Sequence, residues 1–263
     1  MLDSDFANWA SNLRIRAALP PLRPRFALTA AGAPGCFGSI EPDLALHMAS
    51  AGLPLLQRGD AWQVLEPLDE SLARMAAWLD GHGLAGRRRG ELLAVNNEHG
   101  QRLSAIERGA VRPLGIKTCA VHLVCSRDAG GVWVQQRALN KATDPGLWDT
   151  TMGGQVGDGE SSAETLERET WEEAGLRLSQ LQELAFVERI EIRRPVAEGY
   201  LLEGIDVYRA SLAHTLQPLN QDGEVQCFEC LALPALKQRL RRGAFTLEAA
   251  LILSAWLERF GAL

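Results

Sequence analysis

Residues 154–176 read GQVGDGESSAETLERETWEEAGL and hold seven positions in fixed register: Gly154, Glu160, the pair Arg168 and Glu169, the pair Glu172 and Glu173, and Gly175, with Leu176 after them. Local chemistry accounts for much of that spacing. Ser161 to Glu164 has the form of a capping box, in which a serine hydroxyl and a glutamate satisfy the free amides of a starting helix. No Gly or Pro interrupts residues 163–174, and Gly175 stands where a left-handed C-terminal cap belongs. At about 100° per residue, Glu172 lies roughly 60° to one side of Glu169 and Glu173 roughly 40° to the other, so three carboxylates share one narrow face. A like-charged pair four residues apart costs an isolated helix about 0.2–0.5 kcal/mol, and the row reads as uncompensated within its own helix. A divalent cation would remove that cost. Oxygen-only ligands suit Mg²⁺ or Mn²⁺, which keep water and bridge to phosphate oxygens. The preceding loop, residues 153–159, has enough glycine for its backbone to approach a phosphate or metal closely. The bland reading, a solvated acidic helix after a glycine loop, does not explain seven positions at fixed spacing.

The remaining composition narrows the class. A chain of 263 residues fits one large or two modest domains. Net charge −6 and pI near 5.5 give no electrostatic reason to expect nucleic acid as a partner. Five cysteines form no even framework, so free thiols in a cytoplasmic protein are expected. Cys227 and Cys230 have the CxxC spelling, but no second Cys or His pair stands at zinc spacing, and the run reads as a strand. No run reaches the ~18 apolar residues that span a membrane, so none is expected as a partner.

Along the chain, residues 3–18 place Phe6, Trp9, Leu13 and Ala17 at helical spacing. Residues 25–40 read as a hairpin, 42–50 as a helix, 61–65 as a strand, and 71–79 as an amphipathic helix carrying Leu72, Met75, Ala76 and Leu79. Arg87, Arg88 and Arg89 form the strongest basic cluster and read as a solvated loop rather than a phosphate contact. Strands follow at 91–95 and 103–106. From residue 117 strands dominate, with a hairpin before the glycine loop, three strands after its helix, and helices at 234–240 and 247–260.

The seven-position pattern is the Nudix box, and the chain resembles the Nudix hydrolases. One position departs from it: the residue after Arg168 and Glu169, usually aliphatic, is Thr170. Further stretches resemble a branch whose extra N-terminal domain also occurs fused to thiamine pyrophosphokinase in some fungi. They are ERGA at 107–110, Gly115 and Ile116 followed by Val121 and His122, WVQQR at 133–137, KATDPG at 141–146, DGEV at 222–225 with Phe228, and FTLEAAL at 245–251. The resemblance implies an α+β chain: a Nudix α/β/α sandwich over residues 116–263, preceded by a smaller α+β domain over residues 1–115. That domain is a candidate for covering the site, choosing the substrate, or pairing two subunits into a homodimer.

The implied activity is divalent-metal-dependent hydrolysis of a small organic diphosphate. In this branch the substrates are thiamine diphosphate and its oxo- and oxy- analogues, cleaved to the monophosphate and phosphate. Carried over by position, Glu169, Glu172 and Glu173 become metal ligands, with Arg168 and Glu160 as supports. Glu224 resembles a further acid that many of these enzymes place opposite the helix, and its plain alternative is a strand-edge surface glutamate. Which of Glu172, Glu173 and Glu224 takes the water's proton stays open. Arg137 and Lys141 are candidates for the substrate's phosphates, and Gly154 for backbone contact with it. Trp133, Trp148 and Phe228 could stack on a heteroaromatic ring, although the core is the better place for each. The stretch 135–151 also resembles isopentenyl-diphosphate isomerase, but residues 150–154 lack that enzyme's cysteine. A nucleoside or dinucleotide diphosphatase is the alternative enzyme, and a non-catalytic ligand-binding module the alternative of another class.

Overall fold

The computed structural model describes residues 4–127 and 130–260. The chain opens with helix α1 (Ser4–Arg16) and then builds an N-terminal α+β body. Its elements are β1 (Phe26–Ala30), β2 (Cys36–Ile40), α2 (Pro42–Ser50), β3 (Leu55–Arg58), β4 (Ala61–Val64), α3 (Leu68–Gly81), β5 (Leu92–Asn96) and β6 (Arg102–Glu107). The C-terminal part runs β7 (Lys117–Arg127), β8 (Val132–Arg137), β9 (Trp148–Asp149), β10 (Met152–Gln155), α4 (Ser162–Ala174), β11 (Leu181–Val196), β12 (Gly199–Leu212), β13 (Val225–Leu231), α5 (Leu233–Arg241) and α6 (Leu247–Phe260). Among the described residues no helix is long and apolar enough to cross a membrane.

Period-two alternation on β7 explains the sandwich. Ala120 and Val124 point into one apolar core, while Val121, Leu123 and Cys125 point into another. The sheet therefore needs cover on both faces. One face receives α4 through Leu166 and Ala174, and the other receives α5 and α6 through Leu236, Leu240 and Leu253. Each fully buried side chain of this size contributes about 1.5–3 kcal/mol. The sheet order is β11-β12-β7-β8-β13, with β10 beside β7 and β9 beside β8. Strand β12 runs parallel to β7 and is a hairpin partner of β11.

The N-terminal body has its own sheet, ordered β2-β1-β4-β3, with β1 parallel to β4. A parallel pair needs a crossover, and β2, α2 and β3 provide it. Helix α3 lays Leu72, Met75, Ala76 and Leu79 on this core, the side that their spacing selects. The hairpin β5-β6 pairs separately and meets the C-terminal part, where Asp158 N–H donates to Leu92 O at 2.9 Å. Strand β3 was not foreseen, since LLQR offers four residues and no alternation.

Helix α1 has an unexpected destination. Phe6, Leu13 and Ala17 are buried in the core shared with α5 and α6, and Arg193 N–H donates to Ala17 O at 2.8 Å. The opening helix thus belongs to the far layer of the C-terminal sandwich, an exchange that a division at residue 115 does not include. Helical spacing shows that one face is buried but not which layer covers it.

Candidate active site

Both ends of α4 are fixed as their residues require. Glu164 N–H donates to Ser161 Oγ at 3.3 Å, and Ser161 N–H to the Glu164 carboxylate at 2.8 Å. Gly175 takes φ 63° and donates to Trp171 O at 2.8 Å. A side chain there would also meet Leu219 O at 2.7 Å. In the helix interior, Thr170 stands at the usually aliphatic position, and its buried hydroxyl has no hydrogen-bond partner among the described residues.

Glu160 and Arg168 organise the acids. Arg168 Nε and Nη2 donate to Glu160 at 2.9 and 2.8 Å, and Thr165 Oγ1 and Gly157 N–H donate to it as well. The Arg168 guanidinium thereby holds the Glu160 carboxyl down at about 2. The remaining nitrogen, Nη1, reaches Glu169 at 2.8 Å and Glu172, four residues on, at 3.0 Å. This corrects the expectation of an uncompensated row: Arg168 offsets Glu169 and Glu172.

The three carboxylates do not share an environment. Glu172 is 42% exposed, Glu169 15% and Glu173 only 2%. Burial, and then the charge of Glu173, raise the Glu169 carboxyl to about 8. Burial raises Glu173 to about 7, against Lys141, the Gly153 amide and Gln135. Gln135 Nε2 donates to Glu173 at 2.8 Å and Gly153 N–H at 3.1 Å. Lys141 Nζ lies 3.6 Å from Glu173 and hydrogen-bonds Glu224, so Glu224 of the loop before β13 stands opposite the helix. For Glu224, burial pushes upward, but Lys141, Arg89 and Arg108 outweigh it and hold the carboxyl below its ordinary value.

The two glycines of β10 are steric requirements. A Cβ on Gly154 would fall 2.1 Å from Glu169 Cδ, and one on Gly153 would fall 2.5 Å from His122 Cε1. Both glycines line a cleft of about 390 Å³ between the two bodies, together with Arg137, His122, Asp149 and Glu203. Arg137 is turned inward to Asp149 at 3.2 Å and to Thr143 O at 3.0 Å. His122 Nδ1 meets Thr150 Oγ1 at 2.8 Å. Glu203 is buried and accepts from Thr118 Oγ1 at 3.0 Å and from Gln155 Nε2. Among the described residues no cation pairs with it.

Of the residues singled out in the sequence, the helix acids, Arg168, Gly154, Lys141 and Glu224 fall into one connected group, and Arg137 lies beside it. Asp149 and Glu203 carried no spacing signal, being single polar residues within strands, and His122 and Gln135 were marked only as members of resembling stretches, without a role. Trp133 and Trp148 are buried, Phe228 packs against the core, and no Trp, Tyr or Phe lines the cleft among the described residues.

The donor set fits a hard divalent ion: carboxylates alone, two of them buried beside each other at raised pKa values. Among the described residues no three His, Cys, Asp or Glu side chains form a ready cage. The chain would therefore supply one or two carboxylates at a time, as Mg²⁺ commonly takes, with water and phosphate completing the shell.

A NUDIX domain model matches residues 117–249, the stretch that contains all of these acids. The chain belongs to the Nudix family. An uncharacterized Nudix hydrolase of Pseudomonas aeruginosa, PA4841, is 37% identical over 93 residues, covering 35% of this chain and 55% of that protein. The chloroplastic Nudix hydrolase 24 of Arabidopsis thaliana is 27% identical over 161 residues, covering 60% of this chain and 44% of that protein. The chain thus spans about half the length of the curated relatives it matches. Among solved structures, DR0079 from Deinococcus radiodurans superimposes with a TM-score of 0.51 at 22% identity, covering 63% of this chain and 98% of that one. That likeness establishes the Nudix fold. Family membership brings with it a general use of divalent metals.

Proposed function

We propose that the chain is a divalent-metal-dependent diphosphatase, hydrolysing thiamine diphosphate and its oxo- and oxy- analogues to the monophosphate and phosphate. One observation carries this reading: Glu169 and Glu173 are buried together against the glycines of β10, with Glu224 held opposite through Lys141. Two adjacent carboxylates at raised pKa are a costly arrangement without a cation, and such groups cluster at functional sites.

The chemistry divides among these groups. A divalent ion held by one or two of Glu169, Glu172 and Glu173 at a time would neutralise phosphate oxygens and make a bound water more acidic. Arg168, anchored by Glu160, fixes the side chains of Glu169 and Glu172. Gln135 and the Gly153 amide orient Glu173. Glu224, held opposite the helix by Lys141, is the candidate to accept the water's proton by its position rather than its basicity, since Lys141 holds its pKa below the ordinary value. Arg137, at the cleft wall, would contact a phosphate only by turning away from Asp149 and Thr143.

Glu203 supports the thiazolium-bearing class. A buried carboxylate without a cationic partner complements a positively charged ring better than a neutral one. The test is phosphate release from a panel of thiamine, oxythiamine and oxothiamine diphosphates, ADP-ribose and dinucleotides, with Mg²⁺ and with chelator. Turnover of thiamine-type diphosphates that chelator abolishes is expected. No turnover of any diphosphate by metal-replete protein rejects the activity, and preference for the nucleotides rejects the substrate class. Glu203→Gln should raise KM for cationic thiazolium substrates more than for the neutral thiazolone.

A further inference from the structure

The geometry points to a phosphate subsite supplied by the N-terminal body: Arg89 and Arg108 hold the terminal phosphoryl group of the diphosphate, across from Glu224 and Lys141. This rests on the diphosphatase reading for the identity of the ligand but not for the existence of the subsite.

The basic run 87–89 reads in sequence as a solvated loop, yet its backbone is pinned. Gly86 N–H donates to Gly109 O at 2.8 Å, an approach open only to glycine, since a Cβ on Gly109 would lie 2.5 Å from Gly86 O. The Glu107 carboxylate accepts from Arg89 N–H at 2.8 Å, Gly90 N–H at 3.3 Å and Gly109 N–H at 2.6 Å. One acid thus fastens the arginine loop to the turn that carries Arg108. A loop held in this way presents its side chains in a set direction.

That direction is toward the candidate catalytic groups. Arg87, Arg88 and Arg89 line a hollow of about 450 Å³ together with Lys141 and Glu224. Arg89 and Arg108 also line a narrower one of about 80 Å³ that adjoins the cleft at Thr143 and Gln155. Arg89 therefore stands between the two, with its side chain exposed to a ligand. Partial burial and then the charge of Arg108 pull its pKa below the ordinary guanidinium value. Arg108 has Glu91 at 2.8 Å, but among the described residues no carboxylate lies within ion-pair distance of Arg89. Two neighbouring guanidinium groups with only Glu91 in ion-pair contact among the described residues, and Glu224 acting on both from farther off, leave room for an anion, and arginine matches phosphate with two parallel hydrogen bonds. The hollow adjoins Glu224 and Lys141, which makes the departing phosphoryl group the end that it takes.

The test is calorimetric binding of inorganic pyrophosphate to the full chain in the presence of Mg²⁺, followed by steady-state kinetics. Arg89→Ala and Arg108→Ala should each weaken pyrophosphate about tenfold or more, with Arg89→Lys intermediate and the remote Arg58→Ala unchanged. With an organic diphosphate, Arg89→Ala should raise KM and leave kcat within about twofold. Because the Arg89 side chain has no ion pair to lose, its removal does not threaten folding, and circular dichroism checks this. Pyrophosphate binding that Arg89→Ala leaves intact overturns the subsite, even if the parent hydrolyses diphosphates. Arg89-dependent pyrophosphate binding by a parent that hydrolyses none of them upholds the subsite and rejects the activity instead.

Discussion

Two clusters of like charge, carboxylates on α4 and guanidinium groups on the loop of the N-terminal body, both adjoin Lys141, and they are held by opposite strategies. The acids are ordered from within their own element. Helical spacing brings them together, and Arg168 and Glu160, at most thirteen residues away in sequence, set their orientation. The arginines are ordered from outside, by Glu107 and by a glycine contact between separate turns. Burial raises the pKa values of Glu169 and Glu173, whereas Arg87, Arg88 and Arg89 lie at the surface. The acid side should therefore respond strongly to substitution and pH, and the basic side mainly through ligand affinity.

The largest effect is expected from Glu173→Gln, which removes a carboxylate proposed to hold the metal ion and should reduce kcat roughly 10²–10⁴-fold, several kcal/mol of lost stabilisation, without lowering the melting temperature at pH 8, since a buried charge is removed. Calorimetry alongside steady-state kinetics checks both; a wild-type kcat would end the role given to Glu173. Gly154→Ala comes next. Its methyl group displaces the Glu169 carboxyl, and activity or metal affinity should fall by about 10–100-fold, measurable as a shift in the Mg²⁺ dependence. On the basic side, Arg89→Ala should cost only affinity, as described above, so equal kcat losses on the two sides would erase the contrast between them.

The pH response separates the acids themselves. Glu169 and Glu173 have folded-state pKa values near 8 and 7, above the ordinary 4.5. The folded state then binds more protons than the unfolded chain, so stability is highest near the ordinary value and falls as pH rises toward 8. Glu160, depressed to about 2, contributes stability above 4.5 that is lost as pH falls toward 2. Melting curves in chelator should show both limbs, and Mg²⁺ should flatten the alkaline one; a flat profile from pH 5 to 8 would contradict the burial argument. The smallest effect belongs to Arg102→Ala, which removes an exposed pair with Asp158 at 2.7 Å. About 0.2–1 kcal/mol is expected from chemical denaturation.

What could be read in advance followed the same division. Caps, helix length and the acid face of α4 were legible because their causes lie within a few residues. The Glu107 staple was not, since its three amide partners come from two turns that only the fold brings together. Asp149 and Glu203 were silent, and the resemblance marked His122 and Gln135 without their partners, for a related reason: a polar residue on a strand reveals its partner only when the neighbouring strand is known. Even a correct helix at residues 3–18 gave no hint that it caps the far side of the C-terminal sheet. The compensation of Glu172 by Arg168, by contrast, was visible at four-residue spacing, and here the error lay in the reading rather than in missing information.

That first helix has a practical corollary. Because Phe6 and Leu13 are walled in behind α5 and α6, the N-terminal body is tethered to the sandwich at both of its ends, not by a single strap. Deleting it by trimming the chain to residue 117 would strip away part of the sandwich's own wall and bare an oily seam. Excising residues 20–115 and rejoining the ends with a short bridge is the cut that leaves the sandwich whole.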